Sequence, residues 1–204
     1  MGFIEKIIED GWLKTESIKE AFEKIKREDF VSDEFKSLVE LNEALPIGFE
    51  QTISQPAVVA FMLEQLQPKE GEKILDIGAG SGWTTALLSE IVGEKGKVIA
   101  LEIVPELKEL GEKNVAKYGF IEKKIATFIS ADGSKGFLAA APYDKILVSA
   151  ACEAVPEVWK EQLKVGGKIV APVGNSIKTI FKKAQTEFEE LDHPGFVFVP
   201  LISK

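Results

Sequence analysis

The most constraining feature of the chain is the stretch Ile74-Leu75-Asp76-Ile77-Gly78-Ala79-Gly80-Ser81-Gly82-Trp83. An apolar, β-rich run ends near an acid, passes through glycines at 78, 80 and 82, and gives way to a helical pattern over Thr84–Val92. Glycine tolerates positive φ and lets a ligand come close to the backbone. The start of the following helix offers unpaired N–H groups and positive potential. A dinucleotide loop spaces its glycines GxGxxG, with the third glycine or an alanine packing helix on strand. Here the spacing is GxGxG and the next residue is Trp83, whose bulk is expected to obstruct a pyrophosphate.

The residues after this loop continue in the same rhythm. Strands are predicted at Lys73–Ile77, Lys97–Leu101, Ile125–Ser130, Lys145–Ser149 and Lys168–Val173, with helices over Pro105–Tyr118 and Pro156–Leu163. That alternation implies a Rossmann-like, doubly wound α/β fold with a mostly parallel sheet. Thr179–Gln185, Thr186–Leu191 and Phe196–Leu201 read as closing antiparallel strands, with His193-Pro194-Gly195 as a turn. The first third is patterned as helix. Phe3, Ile4, Ile7 and Ile8 share a face, Gly11 ends that turn, and Ser17 with Glu20 has the spacing of a capping box before Ile18, Ala21, Phe22 and Ile25. The turn at 67–72 precedes a strand and is not a linker, so one domain is expected over 1–204: an N-terminal helical extension at 1–70 and an α/β core at 71–204.

A GxGxG loop after an acidic strand end resembles motif I of class I S-adenosylmethionine methyltransferases. Two further acids agree with that likeness. Glu102 ends the second strand, 20 residues past Gly82, where a carboxylate accepts from both ribose hydroxyls. Asp132-Gly133 follow the third strand, where an acid can bind an adenine amino group, and Asp76 is placed near the methionyl portion of the ligand. Carboxylates at the ends of three successive strands converge on one crevice. An acidic crevice suits a sulfonium cation better than a pyrophosphate.

Composition narrows the chemistry. The net charge of −8 argues against a nucleic-acid partner. A lone cysteine, Cys152, excludes a disulfide scaffold or a multi-cysteine metal site, and a lone histidine, His193, leaves little room for His-based triads or zinc chemistry, so no metal is expected. The N-terminus carries Glu5 and Lys6 where a signal peptide needs an apolar run, and no stretch reaches the length of a membrane span. A cytoplasmic monomer without membrane partners is the expectation. With so few bases available, an acceptor that needs none fits best, and a carboxylate is already ionised at neutral pH.

One segment upstream of the glycine loop bears on that acceptor: Leu45-Pro46-Ile47-Gly48-Phe49-Glu50-Gln51-Thr52-Ile53-Ser54-Gln55-Pro56, a connecting loop ahead of a helix over Ala57–Leu66. It is similar to the L-P-I-G-x-x-Q-T-I-S-x-P segment of the protein-L-isoaspartate O-methyltransferase family, matching at every specified position. The resemblance runs on through Ala141-Pro142-Tyr143-Asp144-Lys145-Ile146, Gln162-Leu163-Lys164-Val165-Gly166-Gly167, Pro172-Val173-Gly174 and Phe198-Val199-Pro200-Leu201, and covers nearly the whole chain from Phe30. It implies methyl transfer from S-adenosylmethionine, leaving S-adenosylhomocysteine, to the free carboxylate of an isoaspartyl residue in a damaged protein. The ester then closes to a succinimide.

On the matching positions, the resemblance implies that Ser54 is the active-site serine, with Thr52 and Ile53 flanking it along the cofactor. Thr52, Ile53, Ser54, Gly78, Ala79, Gly80, Gly82, Trp83 and Ile103 join Asp76, Glu102, Asp132 and Gly133 as cofactor contacts, and Ile47, Gln51, Ser54 and Val199 meet the substrate peptide. Nothing near Ser54 activates it as a nucleophile, so its hydroxyl is expected to orient the acceptor carboxylate. It is equally placed to cap the following helix. The departures are Glu50, where a neutral residue is usual and a carboxylate repels an anionic substrate unless it points to solvent, and the proline-poor loop 150–154. They leave open a methyltransferase for another carboxylate, or a relative that binds the cofactor without turnover.

Overall fold

The computed structural model describes residues 2–203. Helices α1 (Phe3–Glu9) and α2 (Glu16–Lys24) come first, followed by two 3-10 turns, Arg27–Phe30 and Asp33–Leu38. A short hairpin of β1 (Leu45–Gly48) and β2 (Gln51–Ile53) leads into α3 (Pro56–Leu66). The core continues as β3 (Lys73–Ile77), α4 (Trp83–Val92), β4 (Lys97–Glu102), α5 (Pro105–Ala116), β5 (Ala126–Ser130), β6 (Tyr143–Val148), α6 (Glu157–Glu161), β7 (Leu163–Val173), β8 (Ser176–Lys182) and β9 (Phe188–Pro194).

The main sheet has seven strands in the order β5-β4-β3-β6-β7-β8-β9. The first five are parallel and the last two antiparallel. Side chains alternate across it, as the two-residue period of a strand requires. Ile74, Val98, Ala100, Leu147 and Val170 face the larger core, which also holds Phe3, Ile7 and Phe22 of the first two helices and the inner faces of α3 and α4. Leu75, Ile77, Ile99, Leu101, Ile146 and Ile169 face a smaller core closed by Trp159 of α6. The central strands are buried on both faces, which is why they read as continuous apolar runs. The N-terminal helices share one buried cluster with the sheet. Among the described residues no helix is long and apolar enough to cross a membrane.

Several local expectations are corrected. Ser17 and Glu20 form no capping box: the cap position falls two residues earlier, at Thr15, with no side-chain cap bond. The start of the helix is tied down by α3 instead. Glu64 Oε1 accepts from the amides of Lys14 and Thr15, both at 2.7 Å, and Thr15 Oγ1 donates to Glu64 Oε2 at 2.7 Å. The closing strands are displaced. β8 ends at Lys182 and β9 runs on through His193 and Pro194, because the register pairs Thr179 with Leu191 and Phe181 with Glu189. Phe196–Leu201 is no strand of the sheet. It crosses the strand ends, held where the Ala151 amide donates to Val199 O at 2.8 Å and the Leu201 amide donates to Ala151 O at 2.7 Å. β7 starts five residues early, at Leu163, and passes an irregularity opposite Tyr143–Lys145. Finally, residues 45–53 are a hairpin and not a plain loop.

Candidate active site

The chain winds outward from β3 in one direction through β4 and β5, then returns to the other side of β3 with β6. The carboxyl ends of β3 and β6 therefore flank a switch point, where open α/β sheets leave a crevice. The glycine loop lies at its rim. The amides of Gly78 and Ala79 donate to Leu101 O at 2.9 and 3.1 Å, which hangs the loop on the neighbouring strand. Two glycines are needed for different reasons. A Cβ on Gly80 (φ +53°) would stand 3.2 Å from Ile47 Cδ1, so this glycine keeps the gap between loop and hairpin. A Cβ on Gly82 (φ +89°) would stand 2.8 Å from Gly111 O and 2.9 Å from Val115 Cγ2, so this one permits the approach of α5. Gly82 serves helix packing and does not line the cleft. Trp83 borders the cleft as part of the core wall, with its indole edge-on to Phe22 at 5.6 Å.

The three acids have distinct environments. Glu102 is 6% exposed, and its Oε2 accepts from the Gly80 amide at 2.8 Å while Oε1 accepts from the Val104 amide at 3.0 Å. Each carboxylate oxygen keeps a further lone pair for a ligand hydroxyl. Asp76 is fully buried below the loop. Its Oδ2 accepts from Thr85 Oγ1 at 2.6 Å, and its Oδ1 meets no donor among the described residues. Burial pushes its carboxyl up to about 7; the Thr85 bond opposes the shift and the nearby Glu102 charge adds to it. Asp132 Oδ1 accepts from the Ser134 amide at 3.0 Å and from the Ser134 hydroxyl at 2.7 Å, and Oδ2 pairs with Lys135. Gly133 lines the cleft; Asp76 and Asp132 do not.

The hairpin supplies the opposite wall. Its turn is Phe49-Glu50, both left-handed (φ 54° and 59°), the mirror-type turn whose twist matches a two-residue hairpin. Glu50 is thus exposed at the tip, while Ile47, Gln51, Thr52, Ile53 and Ser54 line the cleft. Ser54 does not cap α3. Gln55 holds that position, Pro56 opens the helix, and Asn42 Oδ1 accepts from the Ala57 amide at 2.9 Å. A second hollow opens beside the first, walled by Val58, Phe198 and Gln55. Thr52, Ser54, Ser149 and Val199 line both.

Of the residues singled out from sequence, Gly78, Ala79, Gly80, Trp83, Glu102, Ile103, Gly133 and Val199 also line the cleft. Sequence reasoning missed Ser81 and Thr84 beside the glycine loop, Ile77, Leu101 and Ala131 at the strand ends, Ser149, Ala150 and the Pro200–Ile202 wall. Ser149 had a usable signal, since it follows the end of β6 at the switch point. The 200–202 wall had none, because a crossing segment shows no periodicity.

Sheet order, glycine loop and the Glu102 carboxylate together define an α/β methyltransferase of the S-adenosylmethionine-dependent class. The particular family follows from sequence. The model of the protein-L-isoaspartate(D-aspartate) O-methyltransferase family matches residues 2–204. Protein-L-isoaspartate O-methyltransferases of Pyrococcus abyssi and Thermococcus onnurineus are each 42% identical over 206 residues, covering 98% of this chain and 93% and 92% of theirs. A solved Plasmodium falciparum structure, described as a protein-L-isoaspartate O-methyltransferase in complex with S-adenosyl-L-homocysteine, superposes with a TM-score of 0.90 over 99% of this chain and 97% of that one. At 20% identity it speaks for the fold. The chain belongs to the protein-L-isoaspartate O-methyltransferase family. Membership carries the family's activity and cofactor, S-adenosylmethionine-dependent methyl transfer to isoaspartyl residues.

Proposed function

We propose that the cleft holds S-adenosylmethionine, that the neighbouring hollow holds an isoaspartyl segment of a protein, and that Ser54 stands where the two meet. The observation that carries this reading is the shared lining: Thr52, Ser54, Ser149 and Val199 belong to both hollows, so a group in one lies against a group in the other. The donor set fits the cofactor. Glu102 presents spare lone pairs for ribose hydroxyls, the Gly80 cradle has no room to spare for a Cβ, and the buried Asp76 lies beneath the loop, where its negative charge favours a cation in the cleft above. When bound, the cofactor supplies an electrophilic methyl on a positively charged sulfur.

The chain's own residues then have little proton chemistry to perform. A carboxylate is ionised at neutral pH and needs no base. Ser54 donates its hydroxyl to one acceptor oxygen, which turns the other toward the methyl, and alignment of the reacting atoms at about 3 Å supplies most of the acceleration. Ile47, Ile53 and Trp83 exclude water, which strengthens that alignment. Glu50, the departure that raised the question of a different carboxylate, stands at the exposed hairpin tip, and its neighbour Gln51 faces the cleft. With its charge of −8 the chain is read as acting on proteins and not on nucleic acid.

The test uses labelled methyl donor with an isoaspartyl peptide and its normal aspartyl twin. Label should enter the first as a base-labile ester and not the second. Equal labelling of both, or of neither, overturns the reading. Ser54→Ala should lower turnover about 10- to 1,000-fold, as loss of one aligned donor does, with cofactor affinity nearly unchanged.

A further inference from the structure

The chain contains one arginine, Arg27, in the first 3-10 turn. It is 2% exposed and makes no ion pair among the described residues. Its guanidinium is instead spread over four carbonyls. Nη1 donates to Val39 O at 3.0 Å and Leu41 O at 3.1 Å; Nη2 donates to Glu43 O at 2.6 Å and Ser54 O at 3.2 Å. Its Cζ lies 5.4 Å from the ring centroid of Trp83. Every acceptor falls within residues 39–54, the connection that carries the hairpin into the cleft.

A buried cation with no carboxylate in ion-pair contact is expensive to maintain; burial drags this group down to about 10, the Glu40 charge opposes that shift, and Nε meets no acceptor among the described residues. Packing alone would be served by an apolar side chain. What the planar fork offers is geometry: four N–H groups in fixed directions, which a lysine ammonium with three donors on one atom does not reproduce. The fork touches the backbone of Ser54 and the face of Trp83, which both line the cleft. No helix cap fixes Ser54 from the other side, because Asn42 has taken that duty.

We infer that Arg27 is a positioning residue for methyl transfer: its guanidinium fixes the backbone of Ser54 against the cleft wall, so that the serine hydroxyl is aimed before substrate arrives. This rests on the role proposed above for Ser54. Arg27 itself lines neither hollow. Its effect on the chemistry passes through Ser54 and belongs in kcat, while its contact with Trp83 bears on cofactor affinity only weakly.

The test is a double-mutant cycle on the full chain, with turnover of an isoaspartyl peptide and S-adenosylhomocysteine binding measured for each variant. Arg27→Lys keeps the charge and loses the fork. It should lower kcat about ten-fold or more while changing KM and cofactor Kd by less than about three-fold. In the Ser54→Ala background the same substitution should change kcat by less than about two-fold. Arg27→Gln, which retains two amide hydrogens, should behave like Arg27→Lys. Equal losses in both backgrounds, or a loss confined to KM, would overturn the assignment. So would failure of both variants to bind S-adenosylhomocysteine, since the residue would then hold the fold and not the serine. If wild type turns over no isoaspartyl peptide, it is the functional reading that fails, and that result is separate from the cycle.

Discussion

Cofactor affinity should depend on pH through Asp76. The carboxyl is fully buried, its Oδ1 has no donor among the described residues, and it titrates at about 7. A positive charge on a ligand in the cleft above the loop favours the ionised form through the intervening backbone, so binding displaces a proton wherever Asp76 starts neutral. A group titrating near 7 is ionised in about 3% of molecules at pH 5.5 and in about 75% at pH 7.5, a ratio of about 25-fold or about 1.9 kcal/mol. Calorimetric titration with S-adenosylhomocysteine across that range, in buffers of different ionisation enthalpy, should show affinity falling toward low pH by up to about that factor, with proton release on binding. The stability of the ligand-free protein should run the other way. The folded carboxyl lies above its unfolded value near 3.8, so the native state binds more protons between 3.8 and about 7. This group therefore contributes stability that is fully present below about 3.8 and is lost as pH rises to about 7. Asp76→Asn should remove both slopes and bind weakly at every pH. An affinity in wild type that is flat between pH 5.5 and 7.5, or an Asn variant that keeps the full dependence, would refute the reasoning.

Other perturbations have distinct signatures. Glu102→Ala should weaken S-adenosylhomocysteine binding by at least about ten-fold, because it removes the acceptor proposed for the ribose and leaves the Gly80 and Val104 amides without their partner; calorimetry reads it directly. Gly82→Ala places a methyl 2.8 Å from Gly111 O at a left-handed φ and should cost about 2–4 kcal/mol in chemical denaturation. Glu64→Ala removes the acceptor of three bonds that tie the start of α2 to α3 and should cost about 1–3 kcal/mol, with turnover per folded molecule unchanged. Glu50→Gly relieves a left-handed residue at the hairpin tip and should add about 0.5–1 kcal/mol of stability.

The parts of the site that lay open in the sequence are those fixed by neighbours in the chain. The loop of Gly78 and Gly80 follows β3 directly, and Glu102 ends the next strand, so local order together with the winding rule brings them to one crevice. Ser54 was visible because its whole segment, Leu45 to Pro56, is specific. What escaped was set by partners far away in the chain. Ser17 and Glu20 had the spacing of a cap, yet Glu64, more than forty residues on, supplied the acceptor. Ser54 stood at a capping distance from α3, yet Asn42 filled the role. Phe196–Leu201 had the composition of a strand, but the sheet edge was already taken by β9, so its backbone was left to cross the strand ends and wall the cleft.

The chain's own order of residues determined the alternation of strand and helix, the family segment before the glycine loop, and the place of Glu102 at the cleft, because each depends on periodicity or spacing within a few dozen residues; of the three acids expected in one crevice, Asp76 and Asp132 do not line it. Tertiary structure decided which hydroxyls stand between the two hollows, that Glu50 faces away from the cleft, and that a lone arginine gathers four carbonyls behind Ser54. A side chain's direction there is set by atoms distant along the chain, and a pattern of nearest neighbours carries no record of them.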